Sequence, residues 1–556
     1  MLPQCLRHRL PIAASGTIPA PQQFPTSLIP SLPKRCFPAS GSPIWRYTLT
    51  EHRPLRTTTL LLLAALASPA AAQISPAWIQ RYSGPAGDSD SASDLALDPQ
   101  GNVYVTGVSG TFLSDIATIK YDSSGQQLWV RTFDGPGHRD DSANRIVVKN
   151  DAVYIAGYSI GSGTGYDFIT IKYDTSGNQL WAARHNGTGN EEDRAVGLSV
   201  DDAGFVYITG TSRGTTTQTD IVTIKYSPQG QPVWVRAFDG PAHQIDQARD
   251  LRVNAAGDVY VCGRISTVGD WDAVALKYNS AGTLIWSRTF STPGAPIETP
   301  ETLAIDSSGD IILAGSSGSF TFADLLVLKY SPAGDLRWSR RFHGPSTTGA
   351  DSAYGLAIDD ARNIYIAGQT FGPDYNLATT IAYDPDGQIR WLDRHDPGGP
   401  AAADHLTLDA SGAVYVAARF DPQGADPLDA LILKYHAGPT IDWTYTFAGA
   451  LNFVDIIRRV AVTPEGRVFA AGMADFGPLA EVGDFLTINL NQPVPCYPNC
   501  DNSTSSPTLT SNDFQCFLNK FATQDPSANC DHSTNPPTLN ANDFPCFLNA
   551  FASGCP

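Results

Sequence analysis

Positive charge is what this 556-residue sequence has least of. Thirty-seven Lys and Arg stand against 55 Asp and Glu, a formal net charge of −18, and charged residues make up only 17% of the chain. Phosphate backbones are held by clustered Lys and Arg, so the balance argues against a nucleic-acid partner. Long apolar runs are missing too. The run from Leu60 to Leu66 is too short to span a bilayer, and no later one is long enough. No segment keeps a 3.6-residue hydrophobic period for three turns, which excludes a helical solenoid. There is no H-E-x-x-H, no G-x-S-x-G and no phosphate loop. His138, His185, His243, His343, His395 and His405 are scattered without ligand spacing. Cysteine is nearly absent from the body of the chain. Cys5 and Cys36 lie near the start, and Cys262 stands alone in "VYVCG", where it reads as a small buried apolar residue.

What is present begins with an export signal. "RPLRTTTLLLLAALASPAAAQ" carries Arg53 and Arg56, a short apolar core, and Ala70-Ala71-Ala72 before Gln73. Residues 1–72 are therefore expected to be leader and signal peptide, and the protein to be exported, to the cell surface or beyond. Next comes a period. Tryptophans recur at Trp78, Trp129, Trp181, Trp234, Trp286, Trp338, Trp391 and Trp443, at intervals of 51 to 53 residues. "VYVTG" at Val103 is the first of eight such copies, the seventh reading "VYVAA" at Val414, and "TIKY" recurs with them. Each copy holds four short alternating, β-branched runs, in the first copy "ASDLALD", "NVYVTG", "DIATIKYD" and "QLWVRTF", separated by turn residues. Four strands in about fifty residues, repeated eight times, spell β-propeller blades. The array opens with a lone tryptophan strand and closes on "DFLTINL" with no tryptophan strand after it. Pairing these two would complete the eighth blade and remove an open sheet edge.

The unit "D-x-x-T-I-K-Y-D…G…L-W…G-P…D-x-A…G-N-V-Y-V-T-G" resembles the SBBP-type β-propeller repeat of secreted bacterial proteins, over residues 74 to 490. The resemblance implies a propeller fold and export, and no defined reaction. Within it, "YDSSGQQLW" resembles the tryptophan-docking element of quinoprotein dehydrogenases, although the adjacent cysteine pair of many such enzymes is missing.

Two acidic positions recur. Asp90, Asp141, Asp193, Asp246, Glu298, Asp351 and Asp455 precede the first strands, with Ala401 breaking the series. Asp115, Asp167, Asp220, Asp272, Asp324, Asp429 and Asp484 precede the third. A ring of carboxylates could bind a cation, but a fold needs a turn acceptor in every copy and a site does not, so turn acceptors are the expectation. The loops between second and third strands differ most between copies. Their aromatics Phe112, Tyr166, Trp271, Phe322, Tyr375 and Phe476 form a candidate ligand face for a glycan or a protein, with capping of the blade cores as the competing role.

Residues 73–490 are thus assigned to the propeller and the Pro-rich stretch 491–499 to a linker. Residues 500–556 form a duplicated module. "NCDNSTSSPTLTSNDFQCFLNKFA" is followed thirty residues later by "NCDHSTNPPTLNANDFPCFLNAFA". Each copy is an oxygen-rich loop leading into a short amphipathic helix. Asp501, Ser503 and Asp513, then Asp531, Ser533, Asn535, Asn540 and Asp543, are candidate calcium ligands. Six cysteines crowd this end. Equivalent residues of a duplication should do equivalent work, which pairs Cys500 with Cys516, Cys530 with Cys546, and leaves Cys496 with Cys555. The pair resembles a dockerin module of the kind ending in Gly-Cys, here Gly554-Cys555, with "SSP" and "NPP" in place of the usual loop glycine. A small disulfide-held helical domain without metal remains open. The resemblance implies a cohesin-like or cell-envelope partner. Taken together, the expectation is an exported eight-bladed propeller that binds or scaffolds without catalysis. A propeller enzyme, quinoprotein or polysaccharide-active, is the alternative.

Overall fold

The structure, a computed structural model, describes residues 74–492 except for 86–88, 111–112, 216–217, 268, 320, 347–348, 423–426, 437, 450–452, 465 and 477–482, together with 511–523 and Phe547. The expected leader, the linker from residue 493 onward and most of the C-terminal module lie outside these residues. The chain divides between Ala67 and Ser68, and everything described belongs to the second unit.

Thirty-two strands are found among the described residues, and they group into eight four-stranded antiparallel units. In the first blade the strands are Asp90–Leu97, Val103–Ser109, Asp115–Tyr121 and Gln127–Phe133, paired in that order. Blades four and five are also joined by one parallel strand pairing, Trp271 with Ile297. The eighth blade joins Val454–Val462, Val468–Phe476 and Asp484–Asn491 to the N-terminal strand Ser75–Tyr82. That strand runs antiparallel to the chain's last one, with Trp78 opposite Asn489 and Arg81 opposite Leu486. The lone tryptophan strand therefore completes the ring as its sequence implies.

Burial follows strand position. The second and third strands of each blade are almost wholly buried, because β-branched and aromatic side chains on both of their faces pack against neighbouring blades. In the fourth strand of the first blade Trp129 is the buried residue, and Gln127 and Leu128 stay exposed. The cores lie between blades: Ala92, Val105 and Ile119 of the first pack with Phe469 and Phe485 of the eighth.

Two glycines of the repeat have a local cause. The first strand of every blade carries a β-bulge, between Ala92 and Asp94 in the first. The bulge pushes a carbonyl against the last residue of "VYVTG". A Cβ on Gly107 would lie 2.0 Å from the Ser91 oxygen. The second glycine sits in the turn between third and fourth strands at positive φ, beneath the tryptophan of the preceding blade. A Cβ on Gly230 (φ +82°) would lie 2.6 Å from Cδ2 of Trp181. The Trp181 indole N–H then donates to the Pro228 carbonyl at 3.0 Å. The same bond links Trp78 to Ser123, Trp129 to Thr175, Trp234 to Ser280, Trp286 to Pro332 and Trp338 to Pro385. The repeated turn glycine and tryptophan thus form a blade-to-blade clasp, each glycine seating the tryptophan of the blade before it.

Candidate functional site

The recurrent carboxylates before the first strands act as turn acceptors. Asp141 accepts the Gly135 N–H at 2.5 Å and the Ile160 N–H at 3.1 Å, tying the inter-blade turn to the end of its own second strand. Asp193, Asp351 and Asp455 repeat this with Gly187 and Arg213, Gly344 and Phe371, and Gly449 and Asp475. Asp246 does so with Gly240 and Ser266, and burial lifts its pKa to about 6. The carboxylates before the third strands are more varied. Arg184 holds Asp167 at 2.5 Å and Arg341 holds Asp324 at 2.6 Å. Among the described residues, three acidic or histidine side chains converge to within 4.8 Å at four joints, as in Asp115, Asp134 and Asp141. Asp141 in that group is already engaged by backbone N–H groups.

The candidate ligand face is only partly open. Phe112 and the side chain of Phe476 lie outside the described residues. Tyr166 opens a third strand, half-buried, with the Arg194 guanidinium 4.4 Å from its ring centroid. Trp271 is likewise inside a strand and covered by Arg264 at 4.1 Å. Tyr375 donates its hydroxyl to Asp396 at 3.0 Å. Phe322 projects, 56% exposed. Three of the four described rings are therefore engaged by neighbours.

The site that sequence reasoning passed over lies at the inner strands. A bulge turns two successive side chains of a strand to one side. Here those pairs are Ser93 and Asp94, Asn144 and Arg145, Val196 and Gly197, Arg249 and Asp250, Glu301 and Thr302, Tyr354 and Gly355, Asp404 and His405, and Arg458 and Arg459. In several pairs the second member faces the next blade. Asp94 accepts the Ile146 N–H at 3.0 Å, Asp250 the Leu303 N–H at 3.2 Å, and His405 Nδ1 the Val460 N–H at 3.4 Å. Where this residue is Gly197 or Gly355 the neighbouring N–H closes in directly, so that a Cβ would stand 3.1 or 3.0 Å from it.

Two adjoining cavities, about 440 and 350 Å³, share Arg145, Glu301, Tyr354 and Arg459 and draw their walls from first strands of blades on both sides of the ring. Between them they carry six basic side chains, Arg145, Lys149, Arg252, Arg419, Arg458 and Arg459, against the carboxylates of Asp94, Asp250, Glu301 and Asp404. A chain of net charge −18 thus has a cationic centre. Arg459 donates to Asp94 at 3.1 Å, Arg252 to Asp250 at 2.6 Å, and Arg419 to both oxygens of Asp404 at 2.6 and 2.7 Å. Burial, with Arg459 beside it, pulls the Arg145 pKa below its ordinary value, and partial desolvation of the otherwise exposed Arg458 side chain lowers its pKa too. Burial among Arg459, Arg145 and Arg252 holds His405 neutral, far below the usual histidine range. The signal that could have found this site was one register position in the first strand whose charge changes from copy to copy.

In the C-terminal module Ser511–Ala522 is helical, as expected for "NDFQCFLNKF". Phe517 stacks on Phe547 with centroids 4.1 Å apart, and these are equivalent residues of the two copies, thirty positions apart. Cys516 is disulfide-bonded, to a residue outside the described set, and Cys262 is free and buried. Asp513 is fully buried. The other candidate calcium ligands and the remaining five cysteines of the module lie outside the described residues.

Comparison with known proteins agrees with this architecture. Residues 77–111 match the family described as SBBP, beta-propeller repeat, and residues 167–372 match that of the outer membrane protein assembly factor BamB. The chain is a β-propeller repeat protein. Among curated proteins, a regulatory protein FlaEY from Caulobacter vibrioides is 27% identical over 136 residues, 22% of this chain and 14% of its own length. An uncharacterized WD repeat-containing protein of Acanthamoeba polyphaga mimivirus is 28% identical over 155 residues, 21% of this chain and 11% of its own length. The chain therefore spans only a small part of either relative. Among solved structures, Sqt1 of Chaetomium thermophilum aligns with a TM-score of 0.49 at 11% identity, over 74% of this chain and 98% of that one. Among the described residues no helix is long and apolar enough to cross a membrane.

Proposed function

We propose that the protein is an exported, non-catalytic binding propeller that receives an acidic ligand at its cationic channel. The observation that carries this is the surplus of guanidinium groups at the inner strands of a chain that is otherwise strongly acidic. Low-dielectric walls of one sign of charge focus the field and draw in the opposite ion. The fixed turns and bulges hold the channel side chains on strands rather than on loops, so the seat is preformed. Export follows from the sequence of residues 53–72.

The C-terminal module serves as an attachment point. The stacking of Phe517 on Phe547 supports two equivalent half-units packed on each other, the arrangement a dockerin-like pair requires. Calcium, where present, is held between Asp501 and Asp513 and between Asp531 and Asp543, and the partner is a cohesin-like or cell-envelope protein. The alternative, a propeller enzyme of the quinoprotein type, draws on the tryptophan clasp, which is also explained by blade packing alone.

A glycan array bearing acidic and neutral sugars tests the reading. Acidic members should be retained, and retention should fall as salt rises from 0.05 to 0.5 M, concentrations chosen to bracket strong and weak screening at roughly 14 and 4 Å. Retention of neutral sugars alone, or turnover in a quinone-reconstitution assay, would overturn it. Calorimetry with millimolar calcium and mass spectrometry of non-reduced peptides test the module. A cross-link of Cys516 to Cys546 would refute the pairing of Cys500 with Cys516.

A further inference from the structure

Among the channel guanidiniums, two differ from the rest. Arg459, Arg252 and Arg419 each have a carboxylate partner. Arg145 donates only to the Asn144 carbonyl of its own strand, at 3.0 Å. The Arg458 guanidinium has no hydrogen bond or ion pair among the described residues. Both stand at first-strand bulges, Arg458 as the extra residue and Arg145 as the one after it. They come from the eighth and second blades and line the same cavity of about 350 Å³, with Arg459 also in its wall. Arg145 is partly buried and Arg458 is exposed to the channel, with Asp404 in the same wall acting on Arg458 only at longer range. Neither guanidinium spends its donors on a carboxylate, so both are free to make charge-assisted bonds to an oxyanion.

The same cavity reaches Glu301 and Tyr354, from the fifth and sixth blades on the other side of the ring. Glu301 has its nearest cation, Arg249, at 3.6 Å, and burial raises its pKa. One wall therefore offers donors for an anion, and the other offers acceptors for hydroxyl groups. Glu301 also disfavours a second negative charge, which selects a monoanion over phosphate. The volume suits one or two sugar rings rather than a polymer segment.

We infer that Arg145 and Arg458 clamp the carboxylate of a small polyhydroxylated acid, a sugar acid in chemical class, whose hydroxyls are received by Glu301 and Tyr354. This rests on the reading of the channel as a ligand site and names the ligand class.

Titration calorimetry of the full chain with sodium glucuronate, glucose and inorganic phosphate tests the clamp. Glucuronate should bind, and glucose and phosphate should bind at least about tenfold more weakly. Arg145→Gln and Arg458→Gln should each weaken glucuronate by about tenfold or more, the effect of one charge-assisted hydrogen bond, with unchanged melting temperature. Arg337→Gln, which alters a guanidinium outside the channel, should leave binding as it is. Glu301→Gln should narrow the preference for glucuronate over phosphate, a readout that survives should an arginine variant misfold. Equal binding by the wild type and both arginine variants would overturn the clamp. So would an unchanged preference in Glu301→Gln. If the wild type ignores glucuronate but still retains an acidic polymer in a salt-dependent way, the clamp is wrong and the wider reading stands. If it retains neither, both fall.

Discussion

Replacing Gly230 by Ala puts the tryptophan clasp to a quantitative test. Gly230 has φ +82°, and an added Cβ would stand 2.6, 2.9 and 3.0 Å from three atoms of the Trp181 indole. Holding an L-residue in that conformation costs about 1–2 kcal/mol. The indole must also retreat by roughly 1 Å from a packed face, an overpacking cost of about 1–3 kcal/mol. Retreat strains the 3.0 Å bond from the indole N–H to the Pro228 carbonyl, a further loss of about 0.5–1.5 kcal/mol. The expected total is about 3–6 kcal/mol. Gly204 supplies the control within the same blade. Its φ is +83°, but its nearest neighbour to a Cβ is Pro228 at 3.7 Å, ordinary contact. Gly204→Ala should therefore cost only the conformational part, about 1–2 kcal/mol. Urea unfolding of the two variants against the parent measures the difference. Equal destabilisation would mean that the turn conformation alone explains the glycine at this recurrent position, and that the clasp with Trp181 adds nothing.

Other outcomes follow from the same geometry. Asp141→Ala leaves the Gly135 and Ile160 N–H groups without their acceptor, a loss of about 2–4 kcal/mol before relief of an unfavourable buried charge; thermal denaturation with unchanged ligand binding is the expected result, and lost binding at an unchanged melting temperature would point to a carboxylate site instead. Deleting residues 74–83 should lower the stability of the whole ring in one cooperative transition, because it strips the partner from Asp484–Asn491 and opens an edge; hydrogen exchange confined to the eighth blade would contradict this. The Asp246 pKa of about 6 lies above the unfolded value of 3.8, so the folded state binds more protons in between and its stability should fall as pH rises from about 4 to 6. Asp246→Asn should flatten that part of the stability curve, and an unchanged slope would exclude Asp246 as its source.

Much of this fold was legible in the sequence because propeller blades are local. Strand alternation, turn residues and a tryptophan every fifty-odd residues are written within each copy, and even ring closure could be inferred from which strand type was missing at each end. The role of the Asp residues before the first strands was legible for the same reason, since their acceptor work is repeated with the copies; that of the Asp residues before the third strands was not, because Arg184 and Arg341 reach Asp167 and Asp324 from the fourth strands. The aromatic loops were less so. Tyr166 and Trp271 look free in the sequence, and Arg194 and Arg264, which cover them, lie on other strands of their own neighbourhood.

By itself, then, the sequence determined the number of blades, the order of their strands, the closing pair and the duplication at the C-terminal end, all of them consequences of period and local pattern. Only the tertiary structure decided where the charge gathers. A one-residue bulge changes which way Arg145 and Arg458 face, and nothing in the alternation of apolar and polar residues announces it, since side-chain direction depends on register with the second strand. Their meeting with Glu301 and Tyr354 depends on closure of the ring, which brings together first strands from blades that share no local sequence. Whether an arginine is a surface charge or part of a site is set there, by which carboxylates the ring places beside it and which it leaves out of reach.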